Sequence, residues 1–368
     1  MDVLMLSGEL GSGGAPRVMH QIVNHFPSDI DTTVAYLGGR DDIVKKFERM
    51  DVPVVRLAES PFSLTTGWRL HRLIDDRSPD VIHTHMMTAG LLARPLARLH
   101  SIPVIHTVHT NYRMRPPFAK VLDVLAAPFG QYAVCVSKLV EASLPSYYRS
   151  ETTVIHNCID VAHVRRKGES SWEELDWTTD LDPEAPIVAN VARYDKKKRR
   201  RDLVKGFKRV VADHADAQLV LTGRRNDRQA RLADLAHDLG ISENVFFTGF
   251  IENPQSIYYH SDVVAFSSES EGFSIALLEA MAHGRPIVAT DIPAFVEALG
   301  EGYPGLTPVR SPSRLGDTIS EVLGDAGRRE EVTDIITERI RQFSGAAAAN
   351  AYVELYRTCS HRMKAKSV

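Results

Sequence analysis

Short runs of Val, Ile and Leu alternate with longer stretches in which apolar residues return every three or four positions. In the first half, "DVLML", "TTVAYL", "VPVVRL", "DVIHTH", "IPVIHTVH", "YAVCVS" and "TTVIHN" have the length and composition of strands. Between them the periodicity predicts helices over 16–26, 67–77 and 88–100. Strand-then-helix alternation predicts a parallel sheet with helices on both faces. The pattern stops near Val164, at "KGESSWEELDWTTDLDPEAP", an acidic stretch that reads as a junction with a short helical turn around 172–175. It then resumes. "PIVANVARY", "AQLVLTG", "NVFFTGF", "DVVAFSS" and "PIVATD" are strand-like, and helices are predicted over 202–214, 228–239 and 273–283. A last helix follows "GAAAANA" and ends near Lys364. The chain is thus expected to be α/β, built from two doubly wound Rossmann-like units.

Length agrees, since 368 residues exceed what one core usually organises. Apolar residues at 43% and charged residues at 25% are ordinary for a soluble globular chain. A net charge of −3 argues against bulk capture of nucleic acid. Cys135, Cys158 and Cys359 form no CxxC pair, so neither a zinc cage nor a dithiol couple is readable, and scattered thiols suit a cytoplasmic setting. The N-terminus reads as a strand rather than a signal peptide, and no run approaches the ~20 apolar residues of a membrane span.

The first candidate chemistry is "GELGSGGAPR", Gly8 to Arg17. Gly8 and Gly13 have P-loop spacing, but Gly14 stands where lysine is required. Gly11 and Gly13 open a dinucleotide fingerprint, but Pro16 occupies its third glycine. What remains is a glycine turn into a helix, either an anion site on free N–H groups or merely a tight turn.

The second is "SSESEGFSIALLEAMAHGRPIVATD", in which Glu271 and Glu279 are separated by seven residues. One carboxylate should precede a helix and the other fall in its second turn, roughly 10 Å away at ~1.5 Å per residue. The intervening N–H groups of Phe273, Ser274 and Ile275 suit a diphosphate. The bland alternative is a helix-start carboxylate plus a solvated helix residue.

The segment resembles the E-x7-E motif of retaining nucleotide-sugar glycosyltransferases of the GT-B fold, family 4 (group 1). "VARYDKKKRRRDLVKGF" resembles the family's Arg-x4-Lys element through Arg193 and Lys198, and "VIHNCID", "SKLVEASL" and "GSGGAPR" resemble further family segments. The resemblance implies two Rossmann-like domains facing across a cleft: an acceptor-side domain over 1–165, a linker over 166–184, a nucleotide-sugar domain over 185–345, and a helix over 346–368 returning to the first domain. By position, Glu279 would bind ribose hydroxyls and Glu271 hydroxyls of the transferred sugar. Arg193 and Lys198 would clamp the diphosphate, with Gly272 to Ile275 at the helix start. Phe250 and Ile251 would present backbone to the base, Gly13 and Gly14 would approach the diphosphate, and His109 would lie near the sugar. The family usually has Gly where Arg199 stands and often Gly at Ser274 and Cys158.

Transfer from a nucleoside diphosphate sugar builds negative charge on the leaving group, which fixed cations and a helix N-terminus stabilise. The triplets Asp29–Asp31 and Asp180–Asp182 fall in a turn and in the acidic junction, so no metal and no further cofactor is expected. No second carboxylate is placed on the opposite sugar face, so the paired-carboxylate scheme of retaining hydrolases is not supported. The resemblance instead implies front-face displacement, a UDP-sugar as the common donor, and glycan, glycolipid or metabolite glycosylation. A nucleotide-sugar 2-epimerase and a catalytically silent binding subunit are the rivals.

Three other features have double readings. "KKKRRR" (196–201) is a basic patch or, more simply, one functional lysine, Lys198, among solvent-facing or cleft-side neighbours. His83, His85, His106 and His109 alternate like metal ligands but also merely end two strands. "NYRMRPPFAKVLDVLAAPFG" (111–130) is either an ordinary amphipathic helix or a peripheral contact for anionic lipid.

Overall fold

The computed structural model describes residues 1–59, 63, 65–130, 132–170 and 172–366. They divide into two compact units, Met1–Cys158 with the chain from Phe343 onward, and Ile159–Gln342. In the first, the Val- and Ile-rich runs form β1 (Asp2–Ser7), β2 (Asp31–Tyr36), β3 (Val54–Arg56), β4 (Val81–His85), β5 (Val104–Val108), β6 (Tyr132–Cys135) and β7 (Thr152–Val154). They make one parallel sheet in the order β3-β2-β1-β4-β5-β6-β7. Every residue of β4 and β5 is buried, as expected for strands covered on both faces. Helix Met87–Leu99 presents Ala89, Ala93 and Ala97 at four-residue spacing to Leu4, Leu6, Ile82 and Val104. These small side chains stack on one helical face and let the helix lie close to the sheet.

The second unit contains β8 (Ile187–Val191), β9 (Gln218–Thr222), β10 (Val245–Gly249), β11 (Val263–Phe266), β12 (Ile287–Thr290) and β13 (Leu306–Thr307). Its sheet is also parallel, ordered β10-β9-β8-β11-β12-β13. Strand order reverses at β1/β4 in one unit and at β8/β11 in the other. Such switch points, at the carboxyl ends of the strands, are where doubly wound sheets bind ligands.

Elements escaped the periodicity where they are short. β13 has two residues, and helix Val161–Gly168 continues past the point where the alternation was expected to stop. The acidic stretch after it is docked. Leu181 is buried with Ile187, Ala189, Val220 and Ile257, Trp172 and Trp177 pack against them, and Trp177 Nε1 donates to Ser256 Oγ at 3.1 Å. Helix Gly345–Lys366 closes the first unit. Its Tyr356 hydroxyl meets His83 Nδ1 at 2.6 Å, and its Tyr352 hydroxyl meets Thr107 Oγ1 at 3.0 Å. Ser367 and Val368, the end of the expected 346–368 helix, lie outside the described residues. No helix among the described residues is long and apolar enough to cross a membrane.

Candidate active site

β8 and β11 are neighbours, with Val188 beside Val263 and Ala189 beside Val264. The segments leaving their carboxyl ends therefore meet although 73 positions separate their key residues. Lys198 Nζ donates to Glu271 Oε1 at 2.5 Å, and Ser268 Oγ donates to the same oxygen at 2.8 Å. Two backbone acceptors fasten the segments. Lys198 O takes the Ser267 hydroxyl at 2.9 Å, and Lys197 O takes the Glu269 N–H at 2.8 Å. The Lys198 and Glu271 side chains are only 13% and 10% exposed, so their charges face little screening water.

Just beyond Glu271, helix Ile275–Ala282 begins two residues later than the sequence pattern predicts, because Ser274 caps it by accepting from Leu277 N at 3.4 Å. The first turn of a helix carries N–H groups without intrahelical partners and a positive partial charge. Glu279 lies in the second turn and is buried, with Tyr258 donating to its Oε2 at 3.4 Å. That excludes the solvated-residue alternative for Glu279. Gly272 and Ile275 are half-buried and Phe273 is buried. Arg193 is exposed on the connection that leads to Lys198.

Within the basic run Lys196 and Arg201 are exposed as expected, but Arg200 is buried. Its Nε donates to Asn190 Oδ1 at 2.7 Å and its guanidinium reaches the carbonyls of Ala192 and Thr222, drawing together the ends of β8 and β9. The guanidinium lies 4.2 Å from the Tyr194 ring, and burial pulls its pKa down to about 10, which leaves it charged at neutral pH. Arg199 has φ 48°, a left-handed conformation that glycine adopts without strain. An arginine persists there with two carboxylate contacts, Nε to Asp202 at 2.6 Å and Nη1 to Glu269 at 3.2 Å.

At the next strands, Gly223 N donates to Gly249 O at 2.8 Å. A Cβ on Gly223 would collide with the Ala192 carbonyl, so only glycine fits this approach. Gly249 turns the chain with φ 75° and is followed by Phe250, which is 51% exposed with the Arg224 guanidinium 4.2 Å from its ring. Ile251 packs instead against the core below. Ser268, Arg200 and Arg224 were not singled out from sequence. Neither spacing nor residue type marks them before β8, β9 and β11 are aligned.

In the first unit, Gly13 caps helix Gly14–Asn24, and both glycines are exposed. The loop is braced by Ser12 N donating to Asp42 Oδ2 at 2.9 Å, by Arg40 donating to Ser12 Oγ at 3.1 Å, and by Leu10 N donating to Arg40 O at 2.8 Å. His109 follows β5, with its Nε2 3.0 Å from His85 Nδ1 at the end of β4.

Residues 172–339 match the family described as Glycosyl transferases group 1, and residues 12–163 match the one described as Glycosyltransferase Family 4. The chain belongs to the group 1 glycosyltransferases. It is 26% identical over 304 residues to a D-inositol 3-phosphate glycosyltransferase of Corynebacterium urealyticum, covering 76% of this chain and 72% of that one. It is 26% identical over 318 residues to a phosphatidyl-myo-inositol mannosyltransferase of Mycobacterium leprae, covering 82% and 79%. The fold is that of Anabaena HepE, crystallised with UDP-glucose, at a TM-score of 0.83, 18% identity and coverage of 97% and 100%. The GT-B architecture expected from the sequence is therefore the one observed within each unit.

The glycosyltransferase holds the four histidines of β4 and the end of β5 as neutral rings. Burial pushes His83 down to about 3 and His109 to about 4, and holds His85 and His106 well below the ordinary imidazole value. His83 bridges Tyr356 and Thr107, while His106 Nδ1 pairs with Thr84 Oγ1 at 2.9 Å. The unfolded chain takes protons near pH 6.5 that the native rings resist. Stability is thus fully present above that pH and is lost as pH falls toward the native values. His83, His85 and His106, the fully buried rings, each remove up to about 1.4 kcal/mol per pH unit in that window. Calorimetry should show Tm falling steeply between pH 6.5 and 4.5, and an unchanged Tm would contradict the neutral cluster.

Proposed function

We propose that this glycosyltransferase moves a sugar from a nucleoside diphosphate sugar, foremost a UDP-sugar, to an acceptor hydroxyl with retention of anomeric configuration. The observation that carries this reading is the convergence of Lys198, Glu271, Ser268 and the start of helix Ile275–Ala282 at the β8/β11 switch point. Lys198, Arg193 and the helix N-terminus would stabilise the charge developing on the departing diphosphate. Glu271, oriented by Lys198 and Ser268, would hold hydroxyls of the transferred sugar, and Glu279 those of the ribose. Gly13 and Gly14 would offer backbone to the diphosphate, the chain at Phe250 and Ile251 would meet the base, and neutral His109 would serve as a hydrogen-bonding partner near the sugar. In the proposed step, the acceptor hydroxyl attacks the anomeric carbon on the face from which the diphosphate leaves. A phosphate oxygen takes its proton.

Nucleotide release tests the proposal. The purified chain is given UDP-, GDP- and ADP-sugars with and without acceptor. Acceptor-dependent release supports transfer. Conversion of the donor without release would make it an epimerase, and inertness toward all three donors would leave a binding subunit. Because relatives are named for inositol-bearing acceptors, inositol phosphate and phosphatidylinositol are the first acceptors to try.

A peripheral membrane contact is supported by the helix Pro117–Ala126. Its buried positions are Ala119, Asp123 and Ala126, while Phe118, Val121, Leu122, Val124 and Leu125 are exposed, Phe118 and Leu125 each by 65%. Large apolar side chains thus face outward and small ones inward, the reverse of a surface helix on a monomer. Exposed Arg113 and half-buried Lys120 flank the face and match an anionic lipid surface. The chain should float with phosphatidylglycerol-containing vesicles at low salt, and Phe118→Ser with Leu125→Ser should abolish flotation. Absence of flotation for the unaltered chain removes the contact.

A further inference from the structure

His71 and Asp75 stand one turn apart on helix Thr65–Arg77, and His100 caps the end of helix Met87–Leu99 beside them. One ring nitrogen from each histidine and a carboxylate oxygen lie within 4.8 Å of one another, the one such group of three among the described residues. His71 Nδ1 is 3.0 Å from His100 Nε2. The Asp75 oxygens lie 3.5 Å from His71 Nε2 and 3.5 Å from His100 Nδ1. The first is a hydrogen-bond distance, and the other two are long for N–H···O bonds and fall in the range of His–Asp ion pairs. Ligands around tetrahedral zinc, bound at about 2.0–2.2 Å, stand about 3.3 Å apart. The contacts use different nitrogens of each ring, and what makes the group a candidate is that one ligand atom from each residue lies within 4.8 Å of the other two, close enough for modest side-chain movement to bring all three onto one ion.

We propose that His71, Asp75 and His100 bind a divalent transition-metal ion of the zinc type. Two imidazoles and a carboxylate select borderline metals such as zinc over magnesium or calcium, which prefer all-oxygen sets. Three protein ligands leave a position for water, and access is provided by an adjoining surface cavity of ≈ 290 Å³ lined by Asp75, His100, Ser78 and Ser360. The group sits beside the amino ends of β4 and β5, whereas the glycine loop, His85 and His109 sit at the carboxyl ends of their strands. The ion would thus clamp two helices rather than take part in transfer.

The test uses the full chain without a polyhistidine tag, stripped with a chelator and titrated with zinc chloride by calorimetry and thermal shift. One equivalent should bind, Tm should rise by several degrees, and magnesium chloride should do neither. Asp75→Asn, at a half-exposed position that leaves the fold undisturbed, should weaken zinc binding by more than about 10-fold, and His71→Gln with His100→Gln should weaken it by more than about 100-fold. X-ray absorption of the zinc-loaded chain should report two imidazole ligands. No saturable uptake, or undiminished uptake by Asp75→Asn and by the double variant, overturns the site.

Discussion

Lys198→Ala is expected to lower kcat by about 10²- to 10³-fold, the usual consequence of removing one fixed donor from a developing anion. The loss should fall on kcat more than on KM, because diphosphate charge grows as the sugar bond breaks. Glu271 keeps its Ser268 hydrogen bond in the variant, so the carboxylate stays oriented and the fold should survive. Circular dichroism and Tm therefore accompany the kinetics. A folded Lys198→Ala enzyme with ordinary turnover would remove the ammonium from the proposed mechanism. A raised KM at constant kcat would reassign it to ground-state binding.

Asp123→Ala should produce the largest loss of stability. Asp123 is fully buried on the inner face of the Pro117–Ala126 helix. It accepts from Arg94 Nη2 at 2.8 Å, from the Tyr148 hydroxyl at 2.6 Å and from the Tyr147 hydroxyl at 3.2 Å, with Arg115 3.6 Å away. Arg94 is buried, and its Nε and Nη1 already lie without partners among the described residues. Removing the carboxylate leaves this guanidinium without its countercharge, held only by the Tyr148 hydroxyl at 2.8 Å among the described residues, a change that costs about 3–5 kcal/mol. At about 2–4 °C per kcal/mol for a domain of this size, Tm should drop by roughly 6–20 °C. Asp123→Asn, which retains acceptor oxygen, should lose less. A variant melting within a degree or two of the parent would show that the helix is held by its alanines instead.

Much of the architecture was legible because buried parallel strands are written as contiguous Val and Ile runs, each bounded by polar residues. β11 and β12 are examples, as are β8 and β9. Glu271 and Lys198 could be named because each sits in a recognisable local pattern. Their direct contact could not, since it depends on β8 lying beside β11, a fact of strand order that no local window contains. Arg200 illustrates the other limit. In sequence it is one cation in a run of six, and only the carbonyls gathered around it distinguish a buried organiser from a solvated neighbour. The Pro117–Ala126 helix was periodic, but periodicity does not say which face turns inward, and here Asp123 and two alanines decide it.

Tyr352 and Tyr356 complete hydrogen bonds on β4 and β5 from nearly the far end of the chain. A ribosome making this protein delivers β1 to β7 early, then must finish the entire second unit before the stabilising tyrosines emerge. The nascent first unit consequently waits half-assembled, with His83 and Thr107 uncovered. A stop codon just before Phe343 would leave it in that condition for good.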